Sequence, residues 1–537
     1  MKETSQEVAN STQTMLHRLR GIQITSGGAF YNCRVHTLAR GKATAQAIAF
    51  EDGRITSIGT NEEILACAPR GFDAVDLKGR TVLPGFIDCH THFISMGVYA
   101  DLSGASNLKE ALAKMKDQAK VTPEGDWVVG SGWKETAWVS GRYITKEDLD
   151  ACCPDHPAIA YRNLVHFASV NSAAISELGI DAKTDGAETD SFGNLTGILR
   201  ENAVLVATSG SEPNRARKLE GLKSATAKAH SFGVTSIQDM GEQGDFGVFK
   251  MAERKGVLRI RVWFSTPASD IDSRLARHAR MGTGSDWLKL GGVKVFCDGS
   301  LGARTAALKK PYSDDPGNKG MFIHTEEELK NIVSKANNAG FQLAVHAIGD
   351  YAIEQTVSYI AEALKGTPRS NHRHRIEHLS MPSQSVLQRM QKLRIIASMQ
   401  PNFVGEMFDM HSMYLARLGP RRIRCSNPYE KVLESRVKLI FGSDCEPLSP
   451  LYGIQSATNA PYAAQRISES DAVASYTKNA AFGSFEEAAK GTLEVGKFAD
   501  FVVLSGDLLG NSKKASSIQV LKTVVGGDVV FEKVGRC

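Results

Sequence analysis

Six side chains of metal-binding type stand at or near the ends of short apolar runs. His90 and His92 close the stretch Pro84-Gly85-Phe86-Ile87-Asp88-Cys89-His90-Thr91-His92. Residues two apart on an extended strand face the same side, so two imidazoles can meet one cation there. Lys294 lies in Gly-Val-Lys-Val-Phe, His346 in Ala-Val-His-Ala-Ile-Gly-Asp, His378 in Arg-Ile-Glu-His-Leu and Asp444 in Phe-Gly-Ser-Asp. Each alone has an ordinary explanation: a buried histidine is more often a hydrogen-bonded core residue, and an aspartate after Gly-Ser is more often a helix N-cap. Six such coincidences at run ends point instead to one polar site that holds one or two divalent cations, with zinc the expected metal. The chemistry such a site supplies is hydrolysis, because a dication lowers the pKa of water until hydroxide exists at neutral pH.

Lys294 needs separate treatment. An ammonium about 4 Å from a dication would be repelled by roughly 8 kcal/mol at an effective dielectric of 20, so a cationic lysine cannot be a ligand. Burial and nearby cations lower the amine's pKa, and a free amine can take up carbon dioxide to become an anionic carbamate bridging two metals. The alternative is an unmodified Lys294 beside a single ion.

These residues need a scaffold that brings them together. Eight apolar runs alternate with helical stretches: 82–89, 234–240, 260–265, 291–297, 342–346, 375–379, 395–400 and 439–443, with amphipathic segments such as 326–338 between them. Eight parallel strands with helical crossovers close into a TIM barrel, which builds its site at the C-terminal ends of its strands. About 144 residues separate the first run from the second, far more than a crossover needs, so residues 100 to about 212 are expected to be an inserted cap over the barrel mouth. Short β-like runs recur at both chain ends, around Asp52-Gly53 and again around Gly526-Gly527. Neither end has enough strands to bury a face. The expected division is a flexible tail over 1–25, one composite β-sandwich from 26–80 and 490–537, and the barrel over 81–489.

Composition fits this class. With 42% hydrophobic and 23% charged residues the chain is neither disordered nor a disulfide scaffold, and 64 basic against 59 acidic residues give no electrostatic case for nucleic acid or a membrane surface. A small-molecule partner is expected; the sequence leaves oligomeric state open and allows a homodimer. Nine cysteines is an odd number, and Cys152 and Cys153 are adjacent, which suits reduced thiols and the cytoplasm. No stretch of roughly 18 to 20 apolar residues suggests a membrane span.

As a set, the motifs resemble the amidohydrolase superfamily, and within it the amidohydrolase-3 group. They are Pro-Gly-Phe-Ile-Asp-x-His-x-His, the fifteen residues from Gly292 through Lys294 to Ala306, His-Ala-Ile-Gly-Asp, Arg-Ile-Glu-His and Gly-Ser-Asp. The insertion is similar too, in Trp127 to Trp133, Leu149-Asp150, Arg162, His166, Asn171-Ser172 and Thr196 to Leu199, as is Gly496 to Asp500 near the far end. The resemblance implies that His90 and His92 hold a more buried metal, that His346 and His378 hold a more exposed one, and that Lys294 bridges. Asp444 would ligate and also act as base, passing a proton to a departing amine. Lys134 and Ile144 depart from the group, where an acidic residue and a proline are usual; both lie in the insertion and bear on substrate identity.

Around that centre, Asp298 and Arg304 on the loop after Lys294, and Trp133, Arg162 and His166 from the insertion, are the candidates for substrate contact. Each also has a structural alternative: support of a ligand for Asp298, a salt bridge for Arg304, the cap's own core for the aromatic residues. The expected reaction is hydrolysis of an amide, N-formyl or cyclic amide bond. The rivals are a mononuclear deaminase, a lactone or ester hydrolase, and a scaffold that has lost catalysis.

Overall fold

The computed structural model describes residues 27–41, 43–67, 73–135, 138–162, 167–405, 410–510 and 515–533. The expected flexible tail over 1–25 and His166 lie outside the described residues.

Eight parallel strands form the central sheet: β1 Phe86–Thr91, β2 Val234–Met240, β3 Arg261–Pro267, β4 Leu288–Phe296, β5 Leu343–Ala347, β6 Arg375–His378, β7 Ile396–Met399 and β8 Leu439–Phe441. They pair in strict sequence order from β1 to β8, the path of a TIM barrel. Such strands are buried on both faces and read as continuous runs; every residue of β1, β2, β5, β6, β7 and β8 is buried. The circle is closed between β8 and β1 by the Asp444 amide, which donates to the His90 carbonyl at 2.8 Å. Gly442 makes that approach practicable, since a Cβ there would lie 2.4 Å from the His90 nitrogen.

The crossover helices obey their sequence signals. Glu326–Asn338 begins with a capping box, Thr325 with Glu328, and turns Leu329, Val333 and Ala336 inward at helical spacing. Ser383 caps Gln384–Leu393 more simply, its hydroxyl accepting the Val386 amide.

One expectation is corrected. The first apolar run, 82–89, is two strands in two sheets: Val82 and Leu83 end Asp73–Pro84, whereas Phe86 begins β1. Pro84 offers no N–H to continue the ladder, and Gly85 lies where a Cβ would meet the Thr235 hydroxyl at 2.3 Å, so the chain turns there.

Asp73–Pro84 belongs to a second eight-stranded sheet that joins Gly27–His36, Thr44–Ala45, Ala47–Glu51 and Arg54–Gly59 to Phe501–Leu504, Val520–Val525 and Asp528–Glu532. The Asp52-Gly53 hairpin has both residues at positive φ, 48° and 77°, as a tight two-residue turn requires. Gly526-Gly527 repeats this between the last two strands. The sheet curls back on itself, with the Ile55 amide donating to the Lys497 carbonyl at 2.9 Å, and encloses Phe30, Phe50 and Phe501 at ring separations of 5.5 to 5.8 Å. A third, six-stranded sheet lies between β1 and β2 in the chain, spanning Ala100–Asp101 to Leu195–Arg200. Among the described residues, no helix is long and apolar enough to cross a membrane.

Candidate metal centre

The C-terminal ends of β1, β4, β5, β6 and β8 converge, and they carry all six residues singled out by type. His90 is completely buried; its Nδ1 lies 2.7 Å from the Glu377 carboxylate. Arg375 grips that carboxylate from the other side through Nη2 at 2.9 Å. Burial raises the Glu377 pKa, but the adjacent Arg375 guanidinium leaves it below its ordinary value, so Glu377 is an anion that accepts the His90 Nδ1 proton. Burial, then the Lys294 amine, push His90 itself well below the usual imidazole range. The ring is therefore neutral, with the lone pair on Nε2.

His378 repeats the device. Its Nδ1 lies 2.8 Å from the Gln400 side-chain oxygen, and burial holds it well below its ordinary pKa, which again leaves Nε2 bearing the lone pair. His346 is reversed: Nε2 donates to the Gly299 carbonyl at 3.0 Å, so Nδ1 is the open nitrogen, and burial lowers the ring's pKa to about 3. The rings of His346 and His378 lie 4.4 Å apart, those of His90 and His378 4.8 Å, and those of His90 and His92 5.8 Å. His92 is partly exposed and stands 4.0 Å from Glu242.

Asp444 presents Oδ1 at 3.7 Å from His90 Nε2 and 3.6 Å from His92 Nε2. Donor atoms of His90, His378 and Asp444 all fall within 4.8 Å of one another. The Lys294 amine lies 3.3 Å from His90 Nε2, and burial lowers its pKa to about 8, so a free amine is within reach at mild alkalinity. His378, Leu379, Asp444 and Cys445 have φ of 70°, 45°, 53° and 66°. Left-handed backbone at non-glycine residues is strained, and strain of this kind gathers where side chains are held for function.

Neutral imidazoles with one nitrogen tied to an acceptor and the other turned inward, beside a carboxylate, are a donor set that suits a borderline divalent cation. The residues present fit such an ion.

The substrate candidates are another matter. Asp298 borders the cavity over the cluster, but its carboxylate accepts the amides of Ala307, Ile348 and Gly349 at 2.8 to 3.0 Å and so pins the loop after β4 to the loop after β5. Burial raises its pKa to about 7. Three of the candidates have partners of their own. Arg304 is bound to Asp314 at 3.0 and 3.2 Å, away from the cavity wall. Arg162 makes a bidentate pair with Glu135, both contacts 2.8 Å. Trp133 is fully buried, stacks on Trp138 at 5.6 Å and gives its N–H to the Ala160 carbonyl, so it is core of the cap.

A model of the amidohydrolase family matches residues 73–531, most of the chain. The protein belongs to the amidohydrolase family. YtcJ of Bacillus subtilis (strain 168), named as an amidohydrolase, is 30% identical over 531 residues, covering 93% of this chain and 98% of the relative. N-substituted formamide deformylase of Arthrobacter pascens is 26% identical, covering 94% and 98%. The solved structure of an uncharacterized metal-dependent hydrolase from Pyrococcus furiosus superposes with a TM-score of 0.76 at 29% identity, covering 90% of this chain and 100% of that one. Within this amidohydrolase, the sequence reading missed Gln400, Arg375, Glu242 and Glu446. Gln400 was within reach of it, since it ends the seventh apolar run as the histidines end theirs.

Proposed function

We propose that this amidohydrolase cleaves a carbon–nitrogen bond of a small molecule, an amide, an N-formyl group or a cyclic amide, with one or two divalent cations, zinc first among them. His90, His92, His346, His378 and Asp444 would hold the metal, with Lys294 as its carbamate joining two ions or as the free amine beside one. A bound dication supplies a Lewis acid and lowers the pKa of water into the neutral range.

The chain's own groups do the rest. Glu377 and Gln400 fix the tautomers of His90 and His378, so the inward lone pairs need no reorganisation. Asp444, whose backbone N–H donates to the His90 carbonyl, would take the proton of the attacking water on its carboxylate. That proton then goes to the amide nitrogen as the carbon–nitrogen bond breaks, so the amine leaves neutral. Buried thiols at Cys89, Cys153 and Cys297 suit a reducing compartment, and we place the protein in the cytoplasm.

One observation carries this reading: three neutral imidazoles from three strands each spend one nitrogen on a fixed acceptor, and donor atoms of His90, His378 and Asp444 share a space within 4.8 Å of one another. The names of relatives support it, since the formamide deformylase and an imidazolonepropionase of Symbiobacterium thermophilum, 23% identical over 86% of this chain, are named for carbon–nitrogen substrates. The test is a panel of N-formyl, N-acyl and cyclic amides given to protein of measured metal content, scored for released amine. Turnover that tracks bound metal is the expected result. Protein with one or two equivalents of metal that releases amine from none of the panel overturns the proposal.

A further inference from the structure

Two chambers open on either side of the Asp444 carboxylate, and they differ. The larger, about 650 Å³, lies over His346 and His378. The smaller, about 230 Å³, lies over His92. Ser131, Gly132, Asp444 and Glu446 border both and form the ridge between them.

The larger chamber has an apolar wall that the fold alone does not require. Phe296, Met321 and Ile323 are 43%, 54% and 48% exposed, and all three border it. Large apolar side chains open to solvent need no explanation when scattered singly; three on one wall mark a surface awaiting a partner. Phe403 and Met413 extend that wall. Among the described residues, no Lys or Arg borders either chamber. Arg304 and Arg162, which could have neutralised an anionic substrate, are committed to Asp314 and Glu135. The smaller chamber differs chiefly in size and has a mixed wall, with Ser95, Ser103 and Asp101 beside Met96, Tyr99 and Pro447, Asp101 standing 3.8 Å from Lys228.

Resting on the carbon–nitrogen hydrolysis proposed above, we infer that the substrate is unsymmetrical about its scissile bond: an aryl-sized apolar group on one side, a small group on the other, and a carboxylate on neither. An apolar group covers Phe296, Met321 and Ile323 and removes their surface and its own from water. A carboxylate in the same place would give up its hydration against an apolar wall, with Glu446 for a neighbour and, among the described residues, no Lys or Arg on the wall to replace the water, Lys134 acting on Glu446 without bordering the chamber.

The test reads binding without turnover. N-(2-phenylethyl)methanesulfonamide and its carboxylate counterpart, N-(2-carboxyethyl)methanesulfonamide, share a head group that is not hydrolysed as an amide. Both are titrated calorimetrically into full-length metal-loaded protein. The phenyl compound is expected to bind at least roughly tenfold more tightly. Ile323→Arg should shrink or invert that ratio; Met321→Arg, at a still more exposed position, serves if circular dichroism shows the first variant misfolded. Equal affinities, tighter binding of the carboxylate compound, or a ratio unmoved in a folded arginine variant would overturn the inference. Failure here is separable from failure of the hydrolytic proposal. A protein that prefers the phenyl compound yet releases amine from no amide loses only the reaction, whereas one that hydrolyses only carboxylate-bearing amides loses only the substrate class.

Discussion

Two pairs of histidines sit at opposite ends of one barrel strand. His374 immediately precedes β6 and stacks near His372, rings 4.3 Å apart; His378 ends β6 and lies 4.4 Å from His346. Type, spacing and burial are nearly the same. The lower pair, however, spends all four ring nitrogens within the chain. His372 accepts the His374 amide at 2.9 Å and donates to the Leu393 carbonyl at 2.8 Å, while His374 accepts the Leu343 amide and donates to Asn337, each at 3.0 Å. The upper pair spends one nitrogen per ring. What sets the upper pair apart is thus an unspent lone pair on each ring at the C-terminal end of a strand, whereas burial and clustering are common to both pairs.

The comparison breaks most visibly in turnover. Replacing His378 by alanine should lower kcat/KM by more than roughly a hundredfold, the scale for losing only an outer partner of a ligand. The melting temperature should change little; a variant retaining normal activity would erase the distinction. Next in size is metal retention. Gln400→Ala should weaken metal binding by roughly 10- to 100-fold, read by competition with a chromogenic chelator, while His374→Ala leaves it unchanged. Third comes stability. His374→Ala strands the buried Leu343 amide and opens a hole, so unfolding in urea should show a loss of about 2 to 4 kcal/mol with activity per folded molecule preserved.

The smallest effect is a pH dependence of the lower pair. Burial lowers the pKa of His372 and holds His374 well below its ordinary value, so both are neutral in the folded chain, while the unfolded chain takes up protons near 6.5. Depressed histidines contribute stability that is fully present above 6.5 and is lost as pH falls below it. Melting curves of metal-loaded protein from pH 7.5 to 5.5 should fall, and His374→Gln should flatten that fall. A variant with the same slope as the parent would remove His374 from the account.

The barrel and the cluster were legible because their signals are local. An apolar run of strand length that ends in His, Lys or Asp states both an element and the end of it that matters, and Thr325 with Glu328 announces a helix within four residues. The substrate contacts were not legible, because their side chains choose between distant partners. Nothing near Arg162 in sequence says that Glu135 will take both of its N–H groups, and nothing near Arg304 marks Asp314 as its partner. Residues 82–89 misled for a related reason: the break at Pro84-Gly85 is enforced by Thr235, about 150 positions further along the chain.

The seam where the last barrel strand meets the first, through the Asp444 amide and the His90 carbonyl, ties assembly of the centre to completion of the barrel. A nascent chain emerging from the ribosome carries its His-x-His pair hundreds of residues before Glu377, which orients His90, and later still Asp444, its carboxylate neighbour, are made. The donor cluster is thus complete only once the last barrel strand has been made.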